Sequence, residues 1–521
     1  MFFFGEFLKR KRYSHWGKRV NSNQPVQETE ELSPLYPELS RNIEEIHRSF
    51  PASPDLVIYQ VGVGPQGTPI ALCYLDGMTD KNALNNNVLR PLMYGNTDPR
   101  NEIGIPLPTI SGFNIVTTLG DVVTAILFGE SVLFMEGRQE AWVYDTKGWP
   151  QRAIEDPQLE SSLKGAHQGF LEIGMQNISM LRRYIPNPGL RIVKQVVGSR
   201  GKTQVWIMYL EDIAHPDVLL ELQGRISQID IDAVINTGEL AELIEDNPFS
   251  PFPQFIITER PDSAASQLLA GRFVVVVDRS PSVIIAPVTF TSFFQSIDDY
   301  SMRWQIASFI RLLRFLAFMI ALLLPAVYIA FISYNYEVVP LQLFLSIAES
   351  RARVPFPPLL EATMMEIMLE MMREAGIRLP APVGQTIGIV GGIVIGQAAV
   401  QAGIVSNIMV IVVASTAIAS FILPSYDMGT AVRLLRFPMM VMASLFGIIG
   451  IVIGAMTLIA HLVALESVGT PYGSPLAPFR WVDMKDTFIR FPLWTMIKRP
   501  RSARPTQEVR MSNKRPRGDQ S

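Results

Sequence analysis

The chain has 521 residues, of which 48% are hydrophobic, with 45 lysines and arginines against 48 acids and a formal net charge of -3. That balance and the positive mean hydropathy exclude a nucleic-acid-type basic protein and suit a soluble part joined to a membrane part. A single cysteine, Cys73, excludes a disulfide framework within the chain and a cysteine-based zinc cluster, and it points to a reducing compartment.

Residues 1–40 read as a basic, then polar tail without apolar periodicity. Its apolar residues precede the charged run KRKR at 9–12, the reverse of a secretory leader, so no cleaved leader is expected. A first α/β subdomain is predicted over 41–150: a helix at 42–50, strands at 55–61 and 69–75, a helix after Gly77, a helix at 121–128 and strands at 131–136 and 140–144. The glycines Gly62, Gly64 and Gly67 match the spacing of a dinucleotide-binding loop. Pro65 and Pro69 bracket the turn and a strand-like run follows, where that loop needs a helix N-terminus, so a hairpin is expected.

A second α/β subdomain is predicted over 151–300, with a helix within 169–186, strands at 190–197 and 203–210, a helix at 217–227, and strands at 271–277 and 283–286. The charged cluster of Glu259, Arg260 and Asp262 reads as a salt-bridged turn, since no nucleophile and base accompany it at workable spacing. The five histidines, including His47, His167, His215 and His461, lie singly. No metal site, cofactor or catalytic constellation is expected, and the chain is not read as an enzyme.

Residues 301–466 read as an α-helical multi-pass membrane domain, so the fold class is an α+β soluble region of two α/β subdomains followed by membrane helices. Spans are predicted at 315–333, 383–404, 407–423 and 437–465, with an amphipathic helix at 357–376 and a cytosolic tail at 467–521. The apolar face of that helix, with Leu360, Met364, Ile367, Met368 and Met371, suits an interface or oligomer contact. Its Glu366 and Glu370 offer a carboxylate ring at a cation-pore mouth as the sharper alternative. Arginines ahead of the first span and basic runs at both chain ends put both termini on the cytoplasmic side, although Arg433 and Arg436 then fall at the outer face, against the charge rule.

Between Arg378 and Asp427 no residue is charged. Gly388, Gly392, Gly396 and Gly403 lie on one helical face that can press against a neighbouring helix. Val390, Val394, Gln397 and Gln401 form a half-apolar, half-amide stripe on roughly the opposite side. Two readings of the stripe stand: interhelical hydrogen bonding, or the lining of an aqueous path with Val394 as its constriction.

The runs PAVYIA at 325–330, SRARVPFP at 350–357, REAGIRLP at 373–380, IVGGIVIGQAAVQAGIVS at 389–406 and SVGTPYGSPLAPFR at 467–480 resemble the A subunits of GerA-type nutrient germinant receptors of endospore-forming bacteria. FPQ with TERPD at 252–262 and DDY at 298–300 are similar to motifs of that family's soluble domain. The segment KGAHQGF at 164–170 departs from the family's pattern, losing a proline, an arginine and an acid. The resemblance implies a protein of the spore inner membrane that acts with a permease-like B subunit and a lipoprotein C subunit, and A subunits assembled into an ion-conducting homo-oligomeric ring. A different class stays open, an accessory membrane protein similar to the stage V sporulation AF protein. No nucleic-acid partner is implied.

Overall fold

The computed structural model describes residues 33–51, 53–63, 67–94, 113–148, 157, 160, 164–379 and 396–511. The first sheet contains β1 (Leu56–Val63), β2 (Thr68–Leu75), β3 (Phe113–Val116), β4 (Ser131–Met135) and β5 (Ala141–Tyr144), ordered β1-β2-β4-β5-β3 with every neighbouring pair antiparallel. Alternation along the strands divides the side chains between two faces. Ala71, Cys73, Leu75, Val132, Phe134 and Val143 meet α1 (Leu39–Ser49) and α2 (Leu119–Leu127). Ile70, Leu72, Leu133, Met135 and Trp142 meet Leu84, Val88 and Leu92 from the helical run between β2 and β3. Gly62 pairs with Pro69 and Val63 with Thr68, so the glycine-rich stretch joins a β-hairpin as expected.

The second sheet repeats the first. It contains β6 (Leu190–Val197), β7 (Thr203–Leu210), β8 (Ile256–Thr258), β9 (Phe273–Val277) and β10 (Val283–Ala286), ordered β6-β7-β9-β10-β8. Its helices are α3 (Gly174–Tyr184), α4 (Pro216–Ser227), α5 (Thr237–Ile244) and α6 (Pro261–Leu269).

The correspondence reaches single hydrogen bonds. Buried Asn42 on α1 clamps the backbone of Tyr36, donating to its carbonyl and accepting from its N–H, and buried Asn177 on α3 does the same to Leu171. The N–H of Leu39 donates to Glu136 just past β4, and that of Gly174 to Asp278 just past β9. Gly137 (φ 82°) and Arg279 (φ 66°) then donate to Pro37 O and Glu172 O. The soluble region is thus one α/β unit built twice.

The halves are joined by a buried ion pair. Arg182 of α3 donates to Asp55 through Nε at 2.8 Å and Nη2 at 3.0 Å, with both side chains 1% exposed. Beside the joint a groove of 510 Å³ is lined by His47, Phe50 and Leu56 from one half and Ile192 and Lys194 from the other.

The helical region begins with α7 (Trp304–Ser333). Asp299, buried at its foot, accepts from Arg311 at 3.0 Å and Arg314 at 2.8 Å, and Asp486 takes the remaining arm of Arg311 at 2.8 Å. Phe294 stacks on Phe315 at 4.3 Å, and one apolar core runs from the second sheet into the helices. Then come α8 (Leu341–Arg351), α9 (Pro358–Arg378), the short helix Gly396–Gln401, α10 (Asn407–Ile422) and α11 (Tyr426–Ala464).

The single span expected at 437–465 is corrected by Gly447, whose φ of 61° and ψ of -139° break α11. Gly454 abuts Met439 and Gly450 abuts Met442. In one straight helix residues 439 and 454 would lie about 22 Å apart at 1.5 Å per residue, so the arms fold back on each other. The turn rests on Tyr334 and Asn335 at the top of α7, with Ile448 N–H donating to Asn335 Oδ1 at 3.2 Å. Both ends of α11 therefore lie toward the soluble region, and Arg433 and Arg436 stand on the arm that starts from that end. A glycine inside a uniformly apolar run gives hydropathy nothing to register.

Removing the carboxylate in Asp55→Ala leaves Arg182 charged and buried, a loss of about 3–5 kcal/mol. Denaturant unfolding followed at buried Trp142 and Trp206 is expected to show it. The double change Asp55→Leu with Arg182→Met is expected to recover most of that loss.

Candidate functional site

The helical region encloses a few charged pairs within its apolar core and also presents large apolar side chains on its outside. On α9, Leu360, Met364, Ile367 and Met371 are exposed, while Glu361 and Glu366 are 0% and 1% exposed. Instead of lying flat at an interface, α9 runs along the bundle: Glu361 reaches Ser406 at the start of α10, and Arg373 reaches Ser420 near its end at 3.2 Å.

Glu361 accepts from both the N–H and Oγ of Ser406 at 2.6 Å, with Arg351 3.4 Å away. Ser406 in turn caps α10 by accepting from Met409 N–H and lies 3.2 Å from the Tyr328 hydroxyl. A carboxylate at a helix N-terminus is stabilised by the exposed N–H groups and the dipole. Further along, Glu366 is ion-paired with Arg436, whose Nε donates to the carbonyl of Ala321 on α7 at 2.8 Å. Among the described residues Glu366 Oε1 and Arg436 Nη2 have no hydrogen-bond partner, so the pair depends on one direct contact. Glu370, 34% exposed, accepts from Arg373 at 3.2 Å with Arg433 at 3.9 Å. Of the two pore-mouth candidates, Glu366 is thus enclosed within the chain and only Glu370 meets solvent.

Of the Gly-faced helix, Gly388, Val390, Gly392 and Val394 lie outside the described residues. Gly396 is buried, with room for a Cβ 3.7 Å from Val410, and Gln397 and Gln401 are exposed on the other side of their helix. Gly403 (φ 69°) follows the helix end and packs on Arg353 O, so it serves as a helix stop and turn.

The soluble candidates are structural. Arg260 forms a two-pronged pair with Asp262 and donates to Glu160 O and Ala166 O, which ties down the divergent segment at 164–170. His461 closes the last helix on the proline-rich loop, 2.8 Å from Ser250 Oγ and stacked on Phe252. Burial pushes the Cys73 thiol up to about 12, which keeps it unreactive. Among the described residues no group of three or more His, Cys, Asp or Glu is placed to hold a metal. The ion pairs inside the bundle escaped sequence reasoning because the apolar face of α9 was assigned to an interface or oligomer contact, which leaves the partner of Glu366, 70 residues away, undetermined. Glu366 with Arg436, an acid and a base in separate apolar contexts, was the available signal.

Residues 44–502 match the family described as Bacillus/Clostridium GerA spore germination protein. The chain is 41% identical to spore germination protein KA of Bacillus subtilis over 93% of its own length and 90% of that protein's. It is 39% identical to an uncharacterized membrane protein, YfkQ, of the same organism, over 93% and 95% of the two chains. A crystal structure of the N-terminal domain of the A subunit of the Bacillus megaterium spore germinant receptor GerK3 is 29% identical, with a TM-score of 0.39, and corresponds to 50% of this chain and 98% of that one.

Glu366→Gln, which leaves Arg436 charged and enclosed, is expected to destabilise the purified chain by about 3–5 kcal/mol. Glu370→Gln, at a partly solvated pair, is expected to cost less than about 1 kcal/mol. Equal midpoints for the two variants in a detergent-phase melt would contradict the burial argument. Burial also pushes the Glu160 carboxyl up to about 7, against the hydrogen bond from Thr258. The folded chain holds that proton more tightly than the unfolded one. Its stabilisation is complete below the ordinary value of 4.5 and is lost as pH rises through about 7. Melting temperature measured across that window is expected to fall less steeply in Glu160→Gln.

Proposed function

Because the chain belongs to the GerA family of spore germination proteins, we propose that it is the A subunit of a nutrient germinant receptor in the spore inner membrane. It acts there with a permease-like B subunit and a lipoprotein C subunit, and an oligomer of A subunits opens to ions when nutrient binds. The observation that carries the membrane placement is the apolar outer surface of the helical region, where Ile367, Met371, Ile411, Ile418, Phe421 and Ile449 are exposed while the ion pair of Glu366 and Arg436 is enclosed, an arrangement that suits lipid and not water. Two helices, Trp304–Ser333 and Tyr426–Ala464, are long and apolar enough for a bilayer, and the second is folded at Gly447. The bundle's return to the soluble side at His461 supports cytoplasmic placement of both the soluble region and the C-terminal tail.

Pore formation is the finer part of this proposal. Gln397 and Gln401 are exposed amides on an uncharged stretch, so their partners come from outside the single chain. In a ring they line an aqueous path, with Val394 as a constriction that closes by dewetting and the Gly388, Gly392 and Gly396 side against a neighbouring helix, which for Gly396 is α10 of the same chain.

In a Cys73→Ser background, single cysteines at Val394, Gln397 and Gln401 are expected to lose most nutrient-triggered ion flux on thiol modification, whereas a cysteine at Gly392 stays inert. Val394→Ala is expected to leak at rest, and Gly392→Leu to prevent assembly. Unchanged flux at every position would favour the accessory role over the channel.

A further inference from the structure

The C-terminal tail carries a surface that neither the soluble fold nor the helical bundle uses. Residues 476–511 hold eight lysines and arginines against three acids. All three acids are already committed: Asp483 accepts from the backbone of Arg501 and Ser502, Asp486 from Arg311 and Tyr300, and Glu508 from Lys498 and Arg501. The charge left facing outward is positive, with Lys485 and Arg510 exposed.

Interleaved with those cations are large apolar side chains that the fold does not bury. Phe479, Trp481, Phe491 and Trp494 are 54%, 77%, 41% and 46% exposed, and Trp481 stands edge-on to Phe479. Scattered exposed apolar residues are ordinary on a protein surface, but four aromatic rings within one short basic segment are not.

The tail is fastened to the foot of α7. Ser308 Oγ donates to Arg490 O at 3.0 Å and accepts from Arg490 N–H at 3.2 Å, and the Phe488 ring lies 4.4 Å from that of Phe315. On the same turns of α7, Ile306, Phe309 and Leu312 are exposed. The aromatic and basic tail therefore lies at the level where the apolar outer surface of the bundle begins.

We propose that residues 476–510 form a membrane-surface anchor that takes anionic phospholipid, with Trp481 and Trp494 in the headgroup layer and Lys485 and Arg510 against lipid phosphates. Indole rings favour that layer, and cations beside it are drawn to anionic leaflets. Continuity with the exposed face of α7 and the positive balance select a lipid surface over a protein partner. The inference rests on the membrane placement proposed above.

The full chain is reconstituted in vesicles of phosphatidylcholine, with or without phosphatidylglycerol, whose acyl chains are brominated to quench nearby tryptophans. Wild type is expected to be quenched, and about twofold more strongly when phosphatidylglycerol is present. The double variant Trp481→Phe, Trp494→Phe is expected to lose most of that quenching, and Lys485→Glu with Arg510→Glu to lose its dependence on phosphatidylglycerol. Trp304, 37% exposed on α7, is the internal control. If Trp304→Phe removes quenching and the tail double variant does not, the anchor is overturned while the membrane placement stands. Tail tryptophans shielded only when other protein subunits are added overturn it in favour of a protein contact. A chain that neither floats with the vesicles nor is quenched overturns both.

Discussion

Two arginines on α7, Arg311 and Arg314, converge on the carboxylate of Asp299, and the architecture depends on that convergence. A charge enclosed without a partner is costly enough to unfold most domains. Arg311 is 0% exposed and lies between Asp299 from the soluble region and Asp486 from the tail. The end of the soluble region and the C-terminal tail are thereby both tied to the foot of the first long helix. With the stacked Phe294 and Phe315 and the shared apolar core, the contact makes the second α/β half and the bundle mechanically continuous.

Within the bundle the same rule operates with the solvent reversed. Glu361 accepts from a helix start and Glu366 from Arg436, each through one carboxylate oxygen. Both carboxylates meet their partners on other helices, so directional contacts to α8, α10 and α11 are added to the apolar packing of Leu359, Ala362, Met365 and Leu369 in holding α9. Such contacts define register, and a change in the spacing of these helices has to exchange partners.

Strand alternation made both sheets legible: β1, β2, β4 to β7, β9 and β10 follow the expected runs closely. The short edge strands β3 and β8 went unread because three or four residues are too few to show alternation, and α5 and α6 because proline-rich flanks resemble turns. Apolar length located α7 and α10. It did not show Gly447, whose reversal depends on one positive φ, nor the orientation of α9, which depends on whether water or lipid lies outside. Of the candidate site, the sequence showed a glycine face and an amide stripe, and the structure places Gly396 inward and Gln397 outward.

The doubled α/β unit lets the chain act as its own reference. Where Asn42 and Asn177 agree, both halves need the same clamp, and the residue reports on the frame. Where they disagree, the frame tolerates either residue and something else decided. His47 holds the place in α1 that Arg182 holds in α3, yet one borders a groove and the other locks the two halves together. Divergence between the halves of this one molecule therefore separates scaffold from use, a distinction usually drawn by comparing many proteins.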